Sequence, residues 1–289
     1  MKVSVVVATA GRAELTGLTI ARLARQTRVP DEIVVVGAGP DDTRGVASDT
    51  LPLRVDHARK GSCSQRNHAL DLVEQTSDII AIFDDDFVPA FDFLQRAEAL
   101  FAAHPDIVGV NGRLIADGAK GPGIGYEAAC AMAEADDLRP QGELPLLESL
   151  YGCNMVLRSS AIQGLRFDEN LPLYGWQEDT DFTFRLKARG KLAKAPELAG
   201  VHMGIKSGRT PGKKLGYSQI ANPLYLLRKK TIPPKLAATL MVNNTLANFI
   251  KSFQPEPYID RKGRLTGNMT ALRDAMMGKL DPRRVVDIT

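Results

Sequence analysis

Cysteine is scarce in this chain of 289 residues, and Cys63, Cys130 and Cys153 form an odd, widely separated set with no CxxC pair. That excludes a disulfide framework and a cysteine-based zinc site, and it points to a reducing cytoplasm. Long hydrophobic runs are missing too: no stretch reaches the roughly 18 uncharged apolar residues of a membrane span. The opening MKVSVVVATAGR is too short for the hydrophobic region and cleavage site of a secretory signal, so it reads as a first strand. Internal repeats and low-complexity tracts are absent. What remains is an ordinary globular composition, 44% hydrophobic and 25% charged. The chain is long enough for one large α/β domain or for a domain with an appendage.

Charge is unevenly spread. The net value is only +3, yet residues 205–289 carry 16 Lys and Arg against 5 Asp and Glu, while residues 1–204 carry 21 against 29. A basic tail on an acidic body predicts an anionic partner for the tail, with phospholipid and nucleic acid as the usual candidates.

Buried strands are predicted at VSVVVATA (3–10), DEIVVVGAG (31–39) and DIIAIF (78–83), with a short one at LRVDHA (53–58). Helices at 14–27 and 64–76 alternate with them. Strands apolar throughout and interleaved with helices imply a parallel sheet covered on both faces. Such sheets bind ligands beyond the carboxyl ends of their strands, and Asp84, Asp85 and Asp86 follow directly on the fourth. Further on come a helix (90–103), a strand (107–115), a Gly/Pro-rich region read as mobile or substrate-facing, and a strand and helix within 148–162. A turn and helix at 167–190 should turn Phe182, Leu186 and Phe184 inward, and helices are expected at 215–228 and 234–253.

Three adjacent carboxylates at a strand end suit a hard divalent cation, which takes charged oxygen ligands and leaves positions for water and phosphate. A solvated acidic turn ahead of a helix would look the same. In YGWQEDTDFTF, a carboxylate could serve as general base towards a hydroxyl and Trp176 as a platform for a sugar ring. Helix N-terminal charge beside a core Trp is the alternative. ARKGSCSQRNHAL sets Arg59, Lys60 and Arg66 around Gly61 before a helix, a phosphate-friendly arrangement without Walker spacing. GRTPGKKL and GPGIG lack nucleotide-motif spacing. His202 stands alone after a short apolar stretch, where a satisfied core histidine is the commoner reading.

In order and spacing these pieces resemble the family 2 glycosyltransferases, inverting enzymes with a GT-A fold. VVVATAGR is similar to the family's first strand, GSCSQRNHAL to its Gly…Arg-Asn segment and FDDDFVP to its DXD motif. GCNMVLRSSAI is similar to the segment before the acceptor region, and FDENLPLYGWQEDTDFTFRL to the FDE…GxxEDxD…R motif. The resemblance covers residues 1–204. It implies a mixed, mostly parallel Rossmann-like sheet sandwiched by helices, with a nucleotide-binding half at about 1–105 and an acceptor-binding half at about 106–204. Residues 205–289 would form a basic helical extension. Asp84 and Asp86 would be the DXD carboxylates, one near the ribose and one on a Mn²⁺ or Mg²⁺ ion bridging the diphosphate, with Asp85 between them. Thr9 and Arg12 would line the nucleotide pocket, and Arg66 would approach the diphosphate or hold the aspartate loop. Asp179 would be the general base, Glu178 a sugar or acceptor contact, Trp176 a surface for the sugar, and His202 a further cation or phosphate contact. The family's second strand usually exits through paired aspartates, one of which contacts the base of UDP. Here Gly37 and Ala38 occupy those places, so backbone groups would hold the base or another base would be bound.

The implied activity is a hexosyltransferase-type enzyme (EC 2.4) that moves a sugar, from UDP-sugar first of all, to a glycan or polyprenyl-linked acceptor in polysaccharide synthesis. Residues 234–253 are apolar on much of their surface, and Lys206, Arg209, Lys213, Lys214, Arg228, Lys229 and Lys230 lie upstream. An interfacial helix at an anionic inner leaflet would read this way, as would helices that pack on the catalytic domain or form a homodimer contact. Nucleic acid is not expected, because interleaved aromatics and a reading motif are missing. Two rivals remain: a sugar nucleotidyltransferase, whose first loop would hold more glycine than ATAGRAEL, and a sugar-nucleotide-binding protein without turnover.

Overall fold

The computed structural model describes residues 1–138, 140, 142–207 and 210–289, and Arg209 of the basic segment lies outside them. Two compact units are present. One comprises Met1–Lys60, Ser64–Arg166 and Leu186–Gly208, the other Gly61–Cys63, Phe167–Arg185 and Arg209–Thr289.

The elements run β1 (Val3–Thr9), α1 (Ala13–Leu23), β2 (Glu32–Gly37), β3 (Leu53–His57), α2 (Ser62–Val73), β4 (Ile79–Asp84), β5 (Phe87–Pro89) and α3 (Phe93–Ala103). There follow β6 (Ile107–Asp117), α4 (Tyr126–Ala135), β7 (Asn154–Arg158), α5 (Ser159–Ile162), α6 (Glu178–Leu186) and β8 (Lys191–His202). Last come α7 (Gly212–Lys229), α8 (Pro234–Lys251) and α9 (Arg261–Met276). Among the described residues no helix is long and apolar enough to cross a membrane.

The strands form one sheet in the first unit, in the order β3-β2-β1-β4-β7-β6-β8-β5. Val3, Val5, Val6 and Val7 are wholly buried, as are Ile79 to Phe83, so side chains on both faces of the central strands are covered. β-Branched residues favour this setting. β1 to β4 pair in parallel, as the uniform apolar runs imply. β7 then reverses direction against β4 and β6, and β5 runs antiparallel to β8, making the sheet mixed. β8 escaped the sequence reading because Pro196 and Glu197 interrupt it. Its parallel pairing with β6 shifts register between Gly112 and Arg113, so no clean period survives.

The fourth strand runs into the aspartates between two anchors. Phe83 and Phe87 are fully buried, and their ring centroids lie 5.0 Å apart and 5.2 and 5.8 Å from that of Phe93. Gly200 of β8 makes room for Phe87, since a Cβ there would come within 2.3 Å of its ring. Backbone pairing grips the loop at both ends: Asp84 N–H donates to Cys153 C=O and Met203 N–H to Asp86 C=O.

In the second unit, α7, α8 and α9 pack together. α9 was invisible in the sequence because Gly263 and Gly267 weaken the helical signal. Gly267, with Gly216 of α7, explains the packing: a Cβ on Gly216 would meet Arg264 O at 2.0 Å, and one on Gly267 would meet Lys213 O at 2.0 Å. Side-chain amides complete the contact. Asn248 donates to Gln219 and Asn268, Gln219 donates to Asn244, and Asn268 donates to Gly216 C=O. Phe182 lies fully buried and stacks on Phe167 at 4.2 Å. Leu186 is buried in the other unit, while Phe184 is only half-buried.

Asp168 accepts hydrogen bonds from Lys229 (2.7 Å) and Tyr225 (2.8 Å). Burial opposes its ionisation, but these donors and Asn170 N–H prevail and hold the carboxyl down at about 2. A depressed carboxylate stabilises the fold above its unfolded pKa of about 3.9 and loses that contribution as pH falls towards 2. Asp168→Asn should therefore cost about 1–3 kcal/mol at neutral pH, and urea melts should show the gap from the parent closing between pH 4 and pH 2.

Candidate active site

The sheet topology brings four acidic or imidazole groups to one edge. Asp84 ends β4, Asp86 follows two residues later on the same side, and His202 closes β8 directly opposite Phe87. Asp117, at the end of β6, is in register with His202. Asp84, Asp86 and His202 can each offer a ligand atom within 4.8 Å of the others.

Asp85, in the turn between β4 and β5, has partners of its own. It accepts from Thr9 Oγ1 (2.8 Å) and Arg12 Nη1 (2.7 Å), while its C=O accepts from Thr19. Thr9 is itself buried and takes a hydrogen bond from Thr16. Arg12 also comes within 3.5 Å of Asp86 and donates to Ser207 C=O. Arg66, almost fully buried, donates to Asp84 Oδ1 (2.8 Å) and to Gly152 C=O. Every member of the acidic run thus meets a cation supplied by the protein.

Electrostatics follow from this packing. Burial pushes the Asp85 carboxyl up to about 7, against the pull of Arg12. Burial works the same way on Asp86, but His202, Arg12 and the Ile205 N–H outweigh it and leave the group below the usual range. For His202, burial favours the neutral ring. The carboxylates win: Asp117 at 2.8 Å and Asp86 at 3.5 Å carry its pKa up to about 10. Asp117 faces Nδ1, which leaves Nε2 directed at Asp86, and a carboxylate behind an imidazole fixes the ring for metal binding in this way. Two carboxylates and one imidazole with open remaining positions fit a divalent cation such as Mn²⁺ or Mg²⁺. His202 would first give up its Nε2 proton.

Asp117 and Tyr151, whose hydroxyl lies 3.4 Å from His202 Nδ1, were not singled out in the sequence. Asp117 sits in the Gly-rich stretch ADGAKGPG, where an isolated acid carries no pattern.

The second unit holds the other sequence candidates. Gly61 bridges to Leu173, and Ser62 N–H donates to Leu173 C=O, clasping the turn before α6. Leu173 (φ 60°), Gly175 (φ 65°) and Gln177 (φ 75°) are all left-handed. For the two non-glycine residues that conformation is strained by about 1–3 kcal/mol each, and such strain clusters at functional sites. Glu178 is buried, and Asp179, half-buried at the first turn of α6, accepts from Thr180 N–H at 2.7 Å. Trp176 is half-buried, and its C=O accepts from Asn222. Asp181 is a structural member of the motif, wholly buried and paired with Lys229 and Arg185.

The chain belongs to glycosyl transferase family 2, whose family model matches residues 4–165. It is a glycosyltransferase with the GT-A fold. Residues 1–349 of TarS from S. aureus, crystallised with UDP-GlcNAc, are 16% identical with a TM-score of 0.58, covering 98% of this chain and 90% of that one. The mannosyltransferase PcManGT from Pyrobaculum calidifontis, crystallised with GDP-Man and Mn²⁺, is 16% identical with a TM-score of 0.57, covering 99% and 85%. Against a longer TarS chain the identity is 18% and the TM-score 0.56. There the match covers 88% of this chain but only 44% of TarS, so the chain spans less than half of that protein. A search of curated proteins returns no match.

The His202–Asp117 pair yields a pH-dependent outcome. A histidine raised from about 6.5 to about 10 contributes stability that is full below pH 6.5 and is lost as pH rises towards 10. In metal-free protein, NMR titration should find His202 protonated through pH 8, and Asp117→Asn should move its midpoint down towards the ordinary value.

Proposed function

We propose that the protein transfers a sugar, with inversion, from a nucleotide-diphosphate sugar to a hydroxyl of a glycan or lipid-linked acceptor in polysaccharide synthesis, using Mn²⁺ or Mg²⁺. The convergence of Asp84, Asp86 and His202 at the carboxyl edge of the sheet carries this reading. The structural neighbours crystallised with UDP-GlcNAc, and with GDP-Man and Mn²⁺, support it.

A cation bound there would neutralise charge on the diphosphate of the leaving group. The chain's own residues do the rest. Arg12 and Arg66 hold the aspartates in position and add positive charge beside the donor phosphates, where charge develops in the transition state. Asp179 accepts the proton of the acceptor hydroxyl as its oxygen bonds to the anomeric carbon, and the bond from that carbon to the diphosphate oxygen breaks. Attack and departure use opposite faces, and the configuration inverts. Proton transfer to Asp179 contributes about 10²–10⁴-fold. Trp176 and Glu178 contact the sugar or acceptor. For the base, Asp42 is already engaged, accepting from Gly11 N–H (2.6 Å) and Ala38 N–H (3.0 Å). With the usual aspartate pair absent, the base is held through backbone groups or another base is bound.

A panel of nucleotide sugars scored by thermal shift, with Mn²⁺ and with chelator, tests the donor and the ion together, since a ligand specific to the folded state raises the melting temperature. One or more donors should stabilise the protein in Mn²⁺ only, and Asp86→Asn should abolish that shift. If no donor stabilises the protein, the reading fails. Asp179→Asn should bind the donor normally while transfer falls about 10²–10⁴-fold. A parent protein that binds donors but never turns over would instead be a sugar-nucleotide binder.

A further inference from the structure

We infer that the outward face of α8, together with that of α9, docks on an anionic lipid surface. A helix apolar on all sides is ordinarily buried, and α8 departs from that rule. Its Ala237 and Asn248 are buried against the other helices, while its opposite face carries a second apolar stripe. Val242, Leu246, Phe249, Ile250 and Phe253 recur at three- and four-residue spacing along it. They are exposed by 53, 51, 50, 64 and 73%. Phe249 and Phe253 pack edge to face in the open, 5.4 Å apart. α9 repeats the pattern with Met269, Leu272 and Met276, of which Met276 is 83% exposed. Contiguous apolar surface of this kind marks an interaction site.

Charge selects the occupant. No acidic residue occurs in α8, and the only one in α9, Asp274, is buried. In the connecting turn, Glu256 is paired with Lys251 and Arg261, and Asp260 caps α9 by accepting from Gly263 N–H. The exposed faces instead carry Lys235 in line with the α8 stripe, and Lys262 and Arg273 in line with that of α9. Apposing a second copy would set these cations against one another with no acid to pair. An anionic leaflet supplies the missing charge and takes the apolar stripe at the headgroup boundary. The inference does not depend on the donor, the metal or Asp179, so its test can fail while the proposed function stands.

The protein is sedimented with vesicles of phosphatidylcholine alone and with vesicles containing about 30% phosphatidylglycerol. Binding is expected only to the anionic vesicles and should weaken at high salt. The double variant Phe249→Ser/Phe253→Ser should lower the partition coefficient at least about tenfold with an unchanged melting temperature, because both rings are solvent-exposed. Lys235→Glu/Lys262→Glu should also reduce binding, and it tests the electrostatic half should the first variant fold poorly. Absence of anionic binding in the parent protein overturns the inference, as does undiminished binding by both variants. Ultracentrifugation provides the rival outcome: a dimer dissolved by the phenylalanine substitutions, without vesicle binding, would assign the face to a second copy.

Discussion

The structure turns on how a run of three carboxylates is made tolerable inside a folded protein. Asp84 is met by Arg66, Asp85 by Arg12 and Thr9, and Asp86 by Arg12 and His202. Burial of charge without partners is prohibitive, so these residues are conditions of the fold as much as parts of a site. Because the protein itself supplies this compensation, the acidic run needs no metal ion to exist. An ion would enter a cluster already close to balanced, and His202 is the group whose proton would leave to admit it.

Much of this was legible in the residues. The apolar runs of β1, β2 and β4 implied parallel strands, because buried central strands leave a uniform signature, and put the aspartates at the carboxyl edge of the sheet. The grouping of Asp84 and Asp86 apart from Asp85 was given by the resemblance to the DXD motif, not by a residue pattern, because Asp85 and Asp86 lie in the turn between β4 and β5. His202 was placed beside the cation only by the family resemblance; its residues alone gave no such sign, since its return to the aspartates depends on β8, whose register breaks erase its periodicity. Asp117 was illegible for the same reason: its role comes from a neighbour 85 residues away. α9 was hidden because Gly263 and Gly267 read as helix breakers, although Gly267 is what lets α9 approach α7.

The second unit specifies its packing by different means. The buried amides of Gln219, Asn248 and Asn268, with the half-buried Asn244, leave few alternative alignments, since sliding one helix would strand several donors at once. The turn before α6 is fastened by Ser62 and Gly61 and ends on a buried Asp181 gripped by Lys229 and Arg185. Glu178 and Asp179 are therefore displayed from a segment with two strained non-glycine residues and little freedom to relax.

Gly200 shows how far such constraints reach. It has no reactive group, yet any larger residue there must displace the Phe87 ring, and Phe87 is the residue next to Asp86 in the chain. A methyl group at position 200 would therefore act as a lesion of the acidic edge while touching none of its members. Screens that score damage by distance from reactive atoms would overlook it, and loss of turnover in such a variant would be misread as a folding defect unless the geometry of residues 84 to 86 were inspected.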